Sequence, residues 1–220
     1  MKFPKTVALL LLLAPAVLFF LWIGQSMSTP ILNGWLGWPW LVLPWWCNVL
    51  TFGAFAAGHS LLAGRLRRIW YLVVTDLSVV VVMGFWAPSG SELWRLPVSV
   101  ATGKTIALIL TGIYLAIHCW IIRYLGFQNF LGIGNGSVVL CDRGPYRYIR
   151  HPQNLNLILF IALAPSMTID RLLFLAMCGI YLLVAIPREE ARLVRTVPGY
   201  AEYRQRTILL MKPPCPAKQR

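Results

Sequence analysis

Hydrophobic positions along the chain gather into long runs, which polar or proline-rich stretches separate. A helix needs about 20 apolar residues to cross the ~30 Å hydrocarbon layer of a membrane. The first four runs approach or reach that length, and the two that follow are shorter. In chain order the runs are Thr6–Gly24, Leu41–Leu62, Ile69–Trp86, Thr105–Ile122, Leu155–Pro165 and Leu172–Ile186. We predict about four spanning helices in residues 1–126 and a helical hairpin over Asn154–Ile186, which crosses the membrane fully or re-enters it.

The first run has two interpretations. Lys2 and Lys5 precede it, and Ser26-Met27-Ser28 follows it, as expected of a cleaved signal peptide. The run is long for the apolar part of such a peptide, which favours a retained membrane anchor. Between Trp35 and Trp46 the approach to the second run is crowded with tryptophan and proline, which is typical of a membrane interface.

Composition agrees with a membrane protein. Of the 220 residues, 58% are hydrophobic and 12% are charged, whereas about 25% of a soluble domain is charged. With six crossing or re-entrant segments, every Lys and Arg except Arg95, Lys104 and Arg171 falls on one face. Basic residues collect in cytoplasmic loops, so we predict an all-α integral membrane protein of five to six transmembrane helices, with both termini cytoplasmic.

The net charge of +13 is therefore assigned to membrane orientation, and no nucleic-acid partner is expected. The five cysteines form no CxxC pair and no cluster with histidine, so no metal site is predicted. His59 and His118 are interpreted as packing residues rather than catalytic ones. Asp76, inside a predicted span, should face the interior of the bundle, and the Gly132–Gly136 stretch should form a tight turn.

Two polar segments of the predicted cytoplasmic face are candidates for chemistry. The first, Gly144 to Pro152, places Arg150 and His151 directly before a proline that suits the first turn of a helix. A helix start carries free N–H groups and partial positive charge, and arginine pairs well with carboxylates, so this corner suits an anion. Alternatively, Arg147 and Arg150 only anchor the cytoplasmic side.

The second segment places adjacent carboxylates, Glu189 and Glu190, at the end of the last apolar run. Neighbouring helical residues point about 100° apart, so one can face inward and the other outward. Acidic groups at a membrane edge are rare unless they are paired or functional. The alternative is a solvated cluster with Arg188 and Arg192. Together, the two segments suit a ligand that carries both a carboxylate and a cationic group.

These segments also resemble the motifs of a known family. Gly144-Pro145-Tyr146-Arg147-Tyr148-Ile149-Arg150-His151-Pro152, then Glu189-Glu190-x-x-Leu193 and Tyr200-x-x-Tyr203, is similar to the isoprenylcysteine carboxyl methyltransferase superfamily. Gly58-His59-Ser60-Leu61-Leu62-Ala63, Phe85-Trp86-Ala87-Pro88 and Ala164-Pro165-Ser166-Met167-Thr168 narrow the resemblance to its nurim, NnrU and methanethiol S-methyltransferase branch.

The resemblance implies a membrane enzyme that uses S-adenosylmethionine to methylate a thiol, a carboxylate or a lipid-like substrate. The alternative it implies is a nurim-like member that keeps the fold without catalysis. The methyltransferase-like region is residues 127–220, which form one structural unit with the spans before them. Arg150 and Glu190 would be catalytic. The cytoplasmic cofactor pocket would contain Tyr146, Arg150, His151, Pro152, Glu189, Glu190 and Tyr203.

Within that pocket, Arg150 would bind the cofactor carboxylate, and Glu189 or Glu190 its ammonium group. The chain departs from the family pattern RHPxYxG at Asn154, where Tyr is usual, and at Asn156, where Gly is usual. Loss of a glycine can block close approach of a ligand to the backbone, so we expect altered ligand geometry or lost catalysis.

A third hypothesis is a reductase that resembles the sterol reductases and uses NADPH. The C-terminal region of those enzymes carries a related Arg-His-Pro pattern, but they usually have a longer chain than this one.

Overall fold

The described part of the protein is mostly helical. A computed structural model describes residues 47–62, 68–84, 86, 91–126 and 140–209. Its elements are α1 Cys47–Leu62, α2 Arg68–Gly84, β1 Glu92–Arg95, α3 Val100–Leu125, a 3-10 helix Gly144–Arg147, α4 Pro152–Ala162, β2 Ser166–Thr168, α5 Ile169–Thr196 and α6 Tyr200–Arg206. The predictions for Thr6–Gly24, for Trp35 to Trp46, for the Gly132–Gly136 turn and for the Asp76 side chain lie outside what is described.

Each predicted run that falls within the described ranges coincides with a helix. α3, with 26 residues, and α5, with 28, are long and apolar enough to cross a membrane. α1 and the apolar part of α2, Val73–Val82, are shorter, and α4 has only 11 residues. The helical, membrane-compatible character of the chain therefore holds, while five or six full crossings stay a prediction.

The helices meet in a core rich in aromatic rings. α1 packs on α2 and α5, and α4 packs on α3 and α5. Phe52 of α1 and Trp86 both lie edge-on to Phe174 of α5, each with ring centroids 5.7 Å apart. Tyr114 of α3 stacks on Phe160 of α4 at 4.4 Å. Such ring pairs add to the favourable burial of their apolar area and fix α5 at the centre of the helical packing.

The expectation of an all-α fold is wrong at one place, where β1 and β2 form a two-stranded antiparallel sheet. β2 is the tip of the predicted hairpin, and Arg95 of β1 pairs with Ser166. On either side of the pairing, Leu96 N–H donates to Pro165 at 2.9 Å and Ile169 N–H donates to Ser91 at 3.0 Å. Non-helical backbone needs partners for its polar groups, and β1 supplies them to the tip.

The side chain of Arg171 joins α5 to the end of α4. Arg171 is 3% exposed, and its guanidinium donates to the carbonyl oxygens of Ile161 at 2.6 Å and Phe160 at 3.1 Å. The last carbonyls of a helix have no partner within the helix, so this arginine supplies one. Arg171 is therefore a buried structural group, although the sequence analysis counted it with the basic residues of a loop face.

Replacing Arg171 should destabilise the fold. In Arg171→Gln, the shorter side chain leaves buried carbonyls of α4 without donors, which costs about 1–3 kcal/mol. Arg95→Gln is the matched control, because the ion pair of Arg95 with Glu92 leaves both side chains substantially exposed and such pairs contribute little. Thermal unfolding in one detergent should show a lower melting temperature for Arg171→Gln only, and equal melting temperatures for the two variants would contradict this role.

Candidate functional site

α5 is long enough to carry the two adjacent carboxylates, Glu189 and Glu190, beyond its apolar run. Its 28 residues make a helix about 42 Å long, at 1.5 Å per residue, which exceeds the ~30 Å hydrocarbon layer. Asp170 and Glu190 stand about 30 Å apart along it. Pro187 lies inside the helix and cannot donate to the carbonyl of Leu183, so the hydrogen-bond ladder is interrupted just before the carboxylates.

Glu190 is the centre of a buried charged cluster, which we call the Arg150–Glu190 site. It is 3% exposed. Its Oε1 accepts from Arg150 Nε at 2.6 Å and lies 3.3 Å from His151 Nε2. Its Oε2 lies 3.2 Å from Arg204 Nε. The structure thus brings Arg150, His151 and Glu190 together away from water, and the two arginines give the buried carboxylate the charged partners that burial demands.

Arg150 also binds the end of α6 and the segment that follows it. Its Nη1 donates to the carbonyl oxygen of Arg204 at 3.0 Å and to that of Thr207. The backbone continues the connection, since Arg150 N–H donates to Ile208 at 2.9 Å and Ile208 N–H donates to Tyr148 at 3.1 Å. Ile149 and Ile208 accordingly form an isolated parallel bridge. The guanidinium and the main chain together fix residues 204–208 against the loop before α4.

Glu189 has different surroundings from its neighbour. Its side chain is 43% exposed, its Oε2 is 4.0 Å from His151 Nδ1, and its Oε1 is 3.9 Å from Arg192. One carboxylate faces inward and the other outward, as predicted for adjacent helical positions. The His151 ring lies between the two carboxylates, and only the one of Glu190 is within hydrogen-bond distance of it.

Three buried tyrosines form the wall beside the charges. Gly199 adopts φ 79°, a left-handed conformation that lets the chain turn from α5 into α6. The turn places Tyr203 so that its hydroxyl donates to the carbonyl oxygen of Tyr146 at 2.6 Å. Burial raises the pKa of Tyr200 to about 12 and raises the pKa values of Tyr146 and Tyr203 well above the usual 10. All three are neutral phenols at physiological pH.

The start of α4 also lies at this site. Pro152 is in its first turn, as the sequence predicted, and no side chain caps it. Gln153 was missed by the sequence analysis. Its amide nitrogen Nε2 is buried and has no hydrogen-bond partner among the described residues. A buried amide donor without a partner is unfavourable, which makes Gln153 a candidate hydrogen-bond donor to a ligand.

Two more contacts were missed because they depend on folding rather than on motif. Arg204 is brought to Glu190 only by the turn at Gly199. Asn156, which replaces the usual glycine of the pattern, is buried, and its side-chain amide donates to the carbonyl oxygen of Tyr114 in α3 at 3.2 Å. The asparagine therefore connects two helices.

The two histidines of the spans lie apart from this cluster. His59 bonds through Nδ1 with the hydroxyl of Tyr181 and packs on the ring of Phe55. His118 stacks on Tyr114 with ring centroids 5.6 Å apart. Both contacts agree with the packing roles predicted for them.

The chain is similar to proteins named methanethiol S-methyltransferase and nurim. The chain is 27% identical to methanethiol S-methyltransferase 1 of Bradyrhizobium diazoefficiens, over 74% of this chain and 65% of that protein. It is 28% identical to methanethiol S-methyltransferase of Crocosphaera subtropica, over 74% and 73%, and 28% identical to nurim of Danio rerio, over 63% and 60%. The chain thus spans less than two thirds of the first and third of these relatives.

No protein-family model and no solved structure matches the chain. The relatives nevertheless confirm the resemblance to the branch that contains nurim and the methanethiol S-methyltransferases, over most of the chain and at moderate identity.

Removing the hydroxyl of Tyr203 should weaken the site. Tyr203→Phe loses the bond to the Tyr146 carbonyl, which should lower the free energy of unfolding by about 0.5–1.5 kcal/mol. Tyr148→Phe is a matched control, because the Tyr148 side chain is 58% exposed. Denaturant or thermal unfolding in detergent should separate the two variants, and the bond would be unimportant if both behaved as the wild type.

High pH should destabilise the α6 region. Burial, and secondarily Glu190, raises the pKa of Tyr200 to about 12, whereas tyrosine in an unfolded chain ionises near pH 10. The stabilising effect of the buried phenol is therefore complete below pH 10 and is lost as the pH rises from 10 towards 12. Melting temperatures recorded from pH 8 to 12 should fall in that window, and Tyr200→Phe, which cannot ionise, should reduce the fall. An unchanged fall in the variant would refute this explanation.

Proposed function

We propose that this protein is an integral membrane methyltransferase that binds S-adenosylmethionine at the Arg150–Glu190 site and methylates a thiol, a carboxylate or a lipid-like molecule. The observation that carries the proposal is the buried contact between Arg150 and Glu190. Gln153, three residues after Arg150 in the chain, adds a buried amide nitrogen that has no hydrogen-bond partner among the described residues. Relatives named methanethiol S-methyltransferase support the reaction class and a small thiol as the first substrate to test.

The residues of the site suit the charges of that cofactor, which carries a carboxylate, an ammonium group and a sulfonium. Arg150 and the uncapped start of α4 at Pro152 suit the carboxylate. Both oxygens of Glu190 already contact arginines, so we assign Glu190 to holding Arg150 in place. Glu189, partly exposed and only loosely paired, is the better partner for the ammonium group.

The other predicted residues would complete the pocket. Tyr146, His151 and Tyr203 are buried next to the charges and would line the adenosine and methionine parts of the cofactor. Gln153 would donate a hydrogen bond to it.

The cofactor supplies an electrophilic methyl group, and the protein aligns it with the nucleophile and excludes water. A thiol has a pKa of about 8.5 and is partly ionised at neutral pH, so a dedicated base is not required for a thiol substrate.

A second function, a nurim-like membrane protein without transferase activity, is favoured by one feature of the same site. Arg150 binds Glu190 and the carbonyl oxygen of Arg204, and in this second function these contacts hold the fold together without binding a cofactor. Asn156, which bonds to α3, fills the place of the usual glycine. Cofactor binding distinguishes the two functions.

Calorimetry with purified protein in detergent should detect S-adenosylmethionine binding in the micromolar range. Glu189→Gln removes the charge at constant size and Gln153→Leu removes the amide, and each should weaken binding about tenfold, or ~1.4 kcal/mol. Glu202→Gln, at an exposed position of α6, should bind as the wild type does. Absence of binding by a folded wild-type sample would overturn the methyltransferase proposal and favour the second function.

A further inference from the structure

An apolar groove lies between α1 and α5, on the side of α5 that faces away from Glu190. Its volume is about 560 Å³, within the range of pockets that hold drug-sized ligands. Its walls are hydrophobic side chains of the two helices, among them Val49, Phe52, Ala56, Met177, Ile180 and Val184.

The walls of this groove are suited to hydrocarbon. Val49 is 46% exposed, Ile180 is 65% exposed and Val184 is 46% exposed, on helices whose composition is compatible with a membrane. From Met177 to Arg188 the α5 wall is about 16 Å long, at 1.5 Å per residue. An extended hydrocarbon chain can lie along such a wall.

Arg188 gives the groove a single charged end. It is exposed, and no carboxylate of the described residues forms an ion pair with it. It precedes Glu190 by two residues, so the two side chains lie within about 3 Å of the same depth along α5 but point about 160° apart. The groove therefore lies on a different side of α5 from the Arg150–Glu190 site. If α5 spans a membrane through its apolar run, the Arg188 end of the groove lies at the membrane edge, where lipid headgroups lie.

We propose that this groove binds an anionic phospholipid, with an acyl chain along α1 and α5 and the phosphate against Arg188. Basic groups near a membrane surface attract anionic lipid headgroups. Arg188 directs that attraction to one position, because the other described residues that line the groove are uncharged and, apart from Ser60 and Tyr181, apolar. The site is separate from methyl transfer and does not depend on the function proposed above.

Native mass spectrometry of the full chain in nonionic detergent tests the headgroup. Phosphatidylglycerol and phosphatidylcholine with the same acyl chains are added at equal concentration. The wild type should retain several-fold more phosphatidylglycerol, and Arg188→Gln should remove the preference. Arg195→Gln, an exposed arginine seven residues further along α5, removes the same charge from the same face and should keep it. No preference in the wild type, or equal loss in the two variants, would overturn the proposal.

A second pair of variants tests the groove itself. A Cβ added at Gly53, which lines the groove, would meet nothing within 4 Å, and the same is true at Gly112 of α3. Gly53→Leu should fill the groove and lower binding of both lipids several-fold, whereas Gly112→Leu should not. Unchanged binding in Gly53→Leu would overturn the proposal and indicate that another part of the chain covers the groove. S-adenosylmethionine binding, measured in parallel, should be unchanged in Arg188→Gln.

Discussion

The buried ion pair between Arg150 and Glu190 is the interaction on which the C-terminal half depends. Moving such charges out of water costs several kcal/mol per ion, and good geometry with additional hydrogen bonds must offset it. His151 and Arg204 supply further contacts to Glu190, and backbone carbonyls of residues 204 and 207 occupy Arg150. The loop before α4, the end of α5 and the segment after α6 are consequently one unit, and the candidate ligand site is a part of it.

A second arginine, Arg171, attaches α5 to the other end of α4. Arg171 at the start of α5 binds the last carbonyls of α4, while Arg150, just before α4, binds Glu190 near the other end of α5. α4 has 11 residues and is about 16 Å long, shorter than the interval between Arg171 and Glu190 along α5. Two long arginine side chains span the difference, so a helix too short to cross a membrane is held at both ends by one that is long enough.

Simple local rules predicted much of this arrangement. The lengths of apolar runs located α2, α3 and the hairpin helices, Pro152 marked the start of α4, and helical geometry separated Glu189 from Glu190. The rest depends on contacts distant in sequence. The β1–β2 pairing joins residues about 70 positions apart. Arginine is usually a surface residue, so local rules assign Arg171 to a loop rather than to the interior. The rotation of α5 that buries Glu190 is set by packing against other helices. Gln153 belongs to no motif, and only the fold shows that its amide nitrogen is buried with no hydrogen-bond partner among the described residues.

The bridge between Ile149 and Ile208 also bears on how the molecule is made. The ion pair of Arg150 with Glu190 and the bond of Arg150 to Thr207 join positions 40 and 57 residues apart. During translation, helices α1 to α5 can enter a membrane one after another. Arg150 is synthesised before Arg204 and Thr207, so its guanidinium cannot bind their carbonyl oxygens until the chain reaches them. The complete set of contacts at the charged site can therefore form only after residue 207 has been synthesised.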